Sequence, residues 1–540
     1  VRRRPSIALA AAVVAAIVAG VSGVAVGGSS TPDGAVGIQP GAAPSTLPIP
    51  SVPGIPVPSA VPSVPAPTTA SPTAGLPTST PTTLPPPTGI DLAGVVDVGE
   101  AKPARTYDSY LAAALKDIQD WWRSEFPRLY GSPYTELAGG IFAAYPQRVA
   151  PIPGCGGASP QTSYQEVNDF GAFYCSRGDF MAYDDGEQGI LFQLAESYGP
   201  AVLAVVLAHE FGHAIQFRTG DLDRDVETVL TEQQADCFAG AWSRRAWNGE
   251  TPGLDFTDDD VRTGLIALVV VRDPPGYNVF EPGGHGSAFD RIGAFQQGFI
   301  GGVDACTGLI DDPLPLLANE FVTTTDLQTQ GNAQFGYGDN QIMGIVQNDL
   351  INFWPREAAQ YGGEVPLIQL RPTTDPIGDS CNDPIGLAES AAVFCAATNE
   401  VVFDERRARE LFDDFGDFAV GYAIGHAWAD GVQAALGYTL GGEDRSVISD
   451  CMVGAWVAGA LTPPDNFEGT TTTSPVHLQR VMAVSPGDLD EAVQTAIIIG
   501  DPGFNDDLKG SAFEKIAYLR LGVLDGFARC VTEANSLSAG

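Results

Sequence analysis

The chain repeats itself, and the repeat limits what its 540 residues can fold into. Gly286 to Cys306 opens with Gly-Ser-Ala-Phe-Asp-Arg-Ile and aligns without a gap on Gly510 to Cys530, which opens with Gly-Ser-Ala-Phe-Glu-Lys-Ile. Asp236 to Trp242 aligns on Asp450 to Trp456, and Phe173 to Cys175 on Val393 to Cys395. The 8 cysteines divide four and four. Eight cysteines allow on the order of a hundred pairings, but two copies that fold alike remove most of them. The repeat predicts Cys155–Cys175, Cys237–Cys306, Cys381–Cys395 and Cys451–Cys530. A bridge from Cys237 to Cys306 closes a long loop, worth roughly 4 kcal/mol in the chain-entropy account. No Cys-x-x-Cys spacing supports cysteine-bound zinc instead.

The first copy carries His209-Glu210-Phe211-Gly212-His213 inside an apolar run from Ala201 to Phe217. Pro200 suits the first turn of a helix and Gly220 its stop. Residues four apart share a helical face, so His209 and His213 can direct two imidazoles at one metal ion. Glu210 is rotated off that face but stays within reach of a metal-bound water. The chain has only 5 histidines, which puts a chance match at about one per cent or less. Polar groups on so apolar a helix need partners, because unpaired burial is costly.

Catalytic zinc takes three protein ligands and leaves one position for water. The third candidate is Glu232, on a second antiparallel helix predicted from Asp225 to Trp247 and stopped at Asn248-Gly249. Asp236 lies four residues on and shares its face, where it can accept the second ring N–H of a ligand histidine. The plain alternative for both is an ordinary solvated acidic face.

These motifs resemble the predicted neutral zinc metallopeptidase family of bacteria (the YpfJ type). His-Glu-Phe-Gly-His-Ala-Ile-Gln from His209 and Glu-Gln-Gln-Ala-Asp-Cys-Phe-Ala-Gly from Glu232 are similar to its two central elements. Phe173-Tyr174-Cys175 with Asp179, Tyr183 and Asp184, and His285-Gly286-Ser287 with Arg291, resemble two more, so the likeness covers about residues 107–306. Where the family has Leu after the ligand Glu, this chain has Gln233. The resemblance implies a zincin-type fold with Zn2+ held by His209, His213 and Glu232. It offers His285 as a second donor to the oxyanion, against the simpler reading of a turn histidine. It also implies that the strand over Phe180 to Asp184, which alternates with period two, is an edge strand that pairs with extended substrate.

In the second copy His209 becomes His426, Glu210 becomes Ala427, His213 becomes Asp430 and Glu232 becomes Ser446, while Lys509 stands in place of His285. A histidine and an aspartate alone hold a metal weakly, and the general base is gone. This copy is expected to be catalytically dead and to pack on the first, either burying its apolar surface or selecting substrate.

Ahead of both copies, residues 1–6 form a basic flank and residues 7–26 an uncharged stretch of 20, long enough to span a bilayer. It reads as a membrane anchor with its arginines in the cytoplasm, or as a cleaved signal peptide. Residues 27–100, rich in Pro, Ser, Thr, Ala and Gly, read as a semi-stiff tether. Disulfides and this leader together predict an extracytoplasmic protein. The net charge of -38 and pI of about 4.2 argue against nucleic acid as a partner.

The expectation is therefore an α+β protein: a mainly helical zincin-like domain with a small sheet at residues 101–310, and a degenerate copy at 311–537. Its expected activity is hydrolysis of a polypeptide substrate through a metal-activated water, with Glu210 as general base. Two alternatives stand beside it: a binding or scaffold protein with a structural zinc, and a zinc hydrolase of a cell-wall amide.

Overall fold

The computed structural model describes residues 91–540, apart from 157–158, 318, 322–326, 329–334, 339, 375–380, 382–390, 459, 461–481, 483, 486, 500–507, 509 and 540. The leader at residues 1–26, most of the tether and Lys509 lie outside the described residues. The folded chain starts earlier than residue 101. Leu92 and Val96 bury their side chains in the core, and Asp97 bridges to Phe142. Apolar residues at 92, 95 and 96 make that stretch sticky where the Pro-rich segment is not.

The first half contains α1 (Asp108–Tyr130), β1 (Gly140–Ala144), a small β2–β3 ribbon (Ile152–Pro153 and Gln161–Thr162), α2 (Tyr164–Phe170), β4 (Ala172–Cys175) and β5 (Phe180–Asp184). It continues with α3 (Ile190–Tyr198), α4 (Ala201–Thr219), α5 (Thr228–Trp247), α6 (Asp258–Val270) and α7 (Ala288–Gly301). The second half contains α8 (Ile342–Ala359), β6 (Gln369–Thr373), β7 (Ala392–Cys395), β8 (Glu400–Asp404), α9 (Glu405–Phe415) and α10 (Asp417–Ala435). It ends with α11 (Gly442–Ala458), α12 (Asp488–Ile499), α13 (Ala512–Asp525) and α14 (Phe527–Ala539). The protein is mainly helical with small sheets, an α+β architecture. Among the described residues, no helix is long and apolar enough to cross a membrane.

Each half has one three-stranded sheet of the same plan. In the first the order is β1-β5-β4, with β1 parallel and β4 antiparallel to β5. In the second it is β6-β8-β7, with the same directions. This corrects the reading of residues 180–184 as an edge strand. β5 is central and bonded on both sides; the edge on the α4 side is β4, where Tyr174 lies against Phe217 of α4 with ring centroids 6.2 Å apart. All five β5 residues are buried, and a central strand is covered on both faces.

The helices correspond as well. Trp242 of α5 donates its indole N–H to Asp117 of α1 at 3.1 Å, and Trp456 of α11 donates to Asp349 of α8 at 2.7 Å. The crossing of α5 with α7 depends on glycine. A Cβ on Gly298 would overlap the carbonyl oxygen of Cys237, just as one on Gly522 in the α11–α13 crossing would overlap that of Cys451. Such close backbones bring the half-cystines of α5 and α11 near their partners. All four bridges form as the repeat predicts, with Cα–Cα distances of 5.3 to 5.6 Å. Four bridges imply folding in an oxidising compartment.

The halves share one hydrophobic core rather than forming separate bodies. Between them, Gln296 of α7 donates to Phe513 O at 2.8 Å and Arg272 pairs with Asp490 of α12 at 2.7 Å. Arg520 of α13 donates to Phe289 O.

Candidate metal centre

α4 starts after Pro200 and ends at Gly220, whose φ of 83° is a conformation glycine adopts freely. It is buried on nearly every face, which explains its near-continuous apolar sequence. His209, Glu210 and His213 lie midway along it. Gly212 lets α5 approach, because a Cβ there would come 2.8 Å from Ala235 Cα. That approach carries Glu232 across to the histidines.

His209 Nε2 and Glu232 Oε2 are 3.2 Å apart, His213 Nε2 and Glu232 Oε1 3.2 Å, and the two Nε2 atoms 3.1 Å. Tetrahedral coordination with bonds of about 2.0–2.1 Å puts ligand atoms roughly 3.3 Å apart. The three groups therefore converge at the separation a small cation demands, and they form one of two groups of described residues that could hold a metal ion.

The surrounding hydrogen bonds fix which atoms face inward. His209 Nδ1 lies 2.7 Å from Asp236 Oδ1, so the ring donates there. Arg291 of α7 grips the same carboxylate with Nε and Nη2, each at 2.9 Å. Gln216 donates through Nε2 to Thr231 O at 2.7 Å and to Gln234 Oε1 at 3.0 Å. Its Oε1 must then accept, and it accepts from His213 Nδ1 at 2.8 Å. Both Nε2 lone pairs consequently point at Glu232, whose Oε2 is buried with no hydrogen-bond partner among the described residues and lies 3.9 Å from Arg291 Nη2. Three electron-rich groups face one another, an arrangement that calls for a cation between them.

The electrostatics agree. Burial works against a charged His209, but Asp236 and Glu232 outweigh it and raise the ring to about 10. Burial would push Glu232 up, yet His213 and His209 hold it well below the usual carboxylate range. Asp236 is likewise lowered against its burial, chiefly by Arg291. The site prefers positive charge at its centre.

Glu210 is buried, one residue after His209 on the same helix. His285 stands apart from the trio. Its ring is half exposed and sits 3.2 Å from Asp273 Oδ1, while its backbone N–H and that of Gly286 hold Asp273 Oδ2 at 2.7 Å. Crowding around the ring works against its charge, but the hydrogen bond to Asp273 and then the charge of Glu232 raise its pKa. The structure thus brings together His209, Glu210, His213, Glu232 and Asp236, and sets His285 on a neighbouring loop. The Gln216–Gln234 pair and the Arg291–Asp236 clamp were not read from the residues. The signal for Gln216 was its position one turn after His213.

The same place in the second half is closed. Lys515, which aligns on Arg291, reaches Ser446 Oγ at 2.5 Å and Asp450 Oδ2 at 3.2 Å. Ser446 Oγ lies 3.3 Å from His426 Nε2, and Asp430 accepts from Ser449 Oγ at 2.7 Å. Tyr422 donates to Asp450. Burial and the ammonium of Lys515 depress His426 to about 3, so it is neutral.

No family model matches the chain, and no solved structure matches it. An uncharacterized protein of Mycobacterium bovis and two of Mycobacterium tuberculosis are each 33% identical over 168 residues, covering 27% of this chain and 54% of the relative. The chain therefore spans about half the length of the curated relatives it matches.

Proposed function

We propose that the first half is a zinc-dependent peptidase of zincin type, and that the second half is a duplicated copy that has lost the chemistry. The observation that carries this reading is the convergence of two imidazoles and one carboxylate at 3.1 to 3.2 Å, with Glu210 beside them. Oxygen and nitrogen donors of this kind suit zinc. His209, His213 and Glu232 would hold it, and bound zinc would supply an acidified water and a polarised substrate carbonyl.

The protein's own groups do the rest. Glu210 takes the proton of the attacking water on a carboxylate oxygen and delivers it to the departing amine. Asp236, clamped by Arg291, keeps His209 in the Nδ1–H tautomer, and Gln216 does the same for His213. β4 offers a free edge beside α4, where an extended polypeptide can add as a strand. With the disulfides, the leader makes the enzyme extracytoplasmic, anchored through residues 7–26 or secreted.

The test compares the purified chain with Glu210→Gln on unfolded protein and peptide libraries. The proposal expects a loss of about 10^2 to 10^4-fold in kcat/KM with zinc content unchanged. Equal inertness of both proteins at full zinc loading would favour a scaffold, and cleavage of wall fragments but not peptides would favour an amide hydrolase.

A further inference from the structure

A second acidic cluster lies away from the α4–α5 site. Asp417 opens α10, and Asp488 and Glu491 occupy the first turn of α12. Their side chains are buried, at 1%, 2% and 3% exposure, and their ligand atoms lie within 4.8 Å of one another. Asp417 Oδ2 accepts from the Phe335 backbone N–H at 2.8 Å, and Glu491 Oε2 from that of Phe418 at 2.7 Å. The other oxygen of each, Asp417 Oδ1 and Glu491 Oε1, is buried without a hydrogen-bond partner among the described residues. No basic side chain among the described residues pairs with either carboxylate. Asp488 is fixed by Ser485, whose N–H and hydroxyl both donate to it, at 2.6 and 2.5 Å.

The first half shows that the fold does not require this cluster. Its counterparts are Pro200 at the start of α4, and Asp260 and Thr263 on α6. They supply a single carboxylate, and the Thr263 hydroxyl donates to Tyr198 O at 3.1 Å. The second half has replaced a proline and a threonine by acids in a buried place. Uncompensated burial of that much like charge is costly. Burial pushes Asp417 up to about 6, and burial with the charges of Asp488 and Asp417 pushes Glu491 well above its ordinary value.

We propose that Asp417, Asp488 and Glu491 bind a hard divalent cation, calcium, that staples α10 to α12. All-oxygen donors select calcium or magnesium over zinc. Calcium suits the irregular, buried set, because magnesium keeps several waters and demands octahedral order. The Asp417 and Glu491 oxygens left without donors become ligands, while backbone amides keep both carboxylates oriented. The site is independent of the peptidase reading.

Terbium is the probe, since it follows calcium chemistry and is sensitised by nearby indole. Trp456 lies 5.8 Å, centroid to centroid, from Phe418, the neighbour of Asp417. The full chain, chelator-stripped and reloaded with one equivalent of zinc, is titrated with terbium in excess magnesium. The proposal expects tryptophan-sensitised emission that saturates at one ion per chain and is displaced by calcium. Calcium at 100-fold above its Kd should raise the thermal midpoint by about 3 °C or more. Glu491→Gln and Asp417→Asn should each weaken terbium at least tenfold and abolish the calcium shift, with wild-type circular dichroism. Glu232→Gln, in the other site, should leave both readouts intact. Emission unchanged in Glu491→Gln would overturn the proposal. So would a wild-type chain that ignores millimolar calcium at pH 7.5 but gains stability on acidification, which would mean that the cluster shares protons instead. Should neither second-half variant fold, the wild-type calcium shift and terbium stoichiometry decide.

Discussion

The two halves place a histidine, an aspartate and a cation in the same order and obtain opposite results. In the first, Arg291 donates to Asp236 and to Val271 O and comes no nearer than 3.9 Å to Glu232, so Nε2 of His209 still faces His213 and Glu232. In the second, Lys515 is slimmer and reaches past Asp450 to Ser446, placing an ammonium next to His426. A planar fork holds one carboxylate with two parallel bonds, whereas a point charge on a flexible stem goes where oxygen is available. The second half places its own ammonium where the first brings two imidazoles and a carboxylate together. On the proposed reading, losing a metal site takes more than losing ligands, because the charge balance must also be restored.

The largest effect should come from the ligands. His213→Ala is expected to drop bound zinc from one per chain to none and activity by about 10^3-fold or more. His426→Ala should leave both unchanged, as read by elemental analysis and peptide hydrolysis. A zinc loss in the second variant would break the comparison. Next are the buried ion pairs. Arg291→Met and Lys515→Met each strand a buried aspartate, and each should cost about 3–5 kcal/mol in chemical denaturation. Only the first should also weaken zinc binding, by roughly 10 to 100-fold.

The smallest effect is a pH dependence. His426 is held at about 3 in the fold, while an unfolded histidine titrates near 6.5. Its folded value is depressed, so its contribution is complete above the unfolded pKa and declines as pH falls. Between pH 6.5 and 5 the loss should be about 1.6 kcal/mol. His426→Gln should flatten that part of the stability profile relative to wild type, and an unchanged slope would contradict a neutral, buried imidazole.

Helical spacing made much of the centre legible. His209, His213, Glu232 and Asp236 follow from the i, i+4 rule applied to two helices, and the cysteine pairs follow from the repeat. The sheet order did not, because pairing of β1 with β5 joins strands far apart in sequence and leaves no local mark. Residues 92–96 were assigned to the tether because composition there changes gradually, although three apolar side chains suffice to anchor them. Lys515 aligns on Arg291 and keeps its charge, and only its reach in three dimensions reveals the difference. Asp417, Asp488 and Glu491 are acids in helical first turns, a common pattern that carries no signal of its own; their meeting depends on how α10 and α12 are docked.

Cys237 is the chain neighbour of Asp236, and its bridge to Cys306 fastens the middle of α5 beside the Gln234 side chain that also bonds Cys306 O. Oxidation thus locks the very turn that orients His209. While the thiols stay reduced, as during synthesis, that turn lacks its fastening. The bond that marks an oxidising compartment is thus also the one that holds the Asp236 turn, and with it the His209 ring, in place.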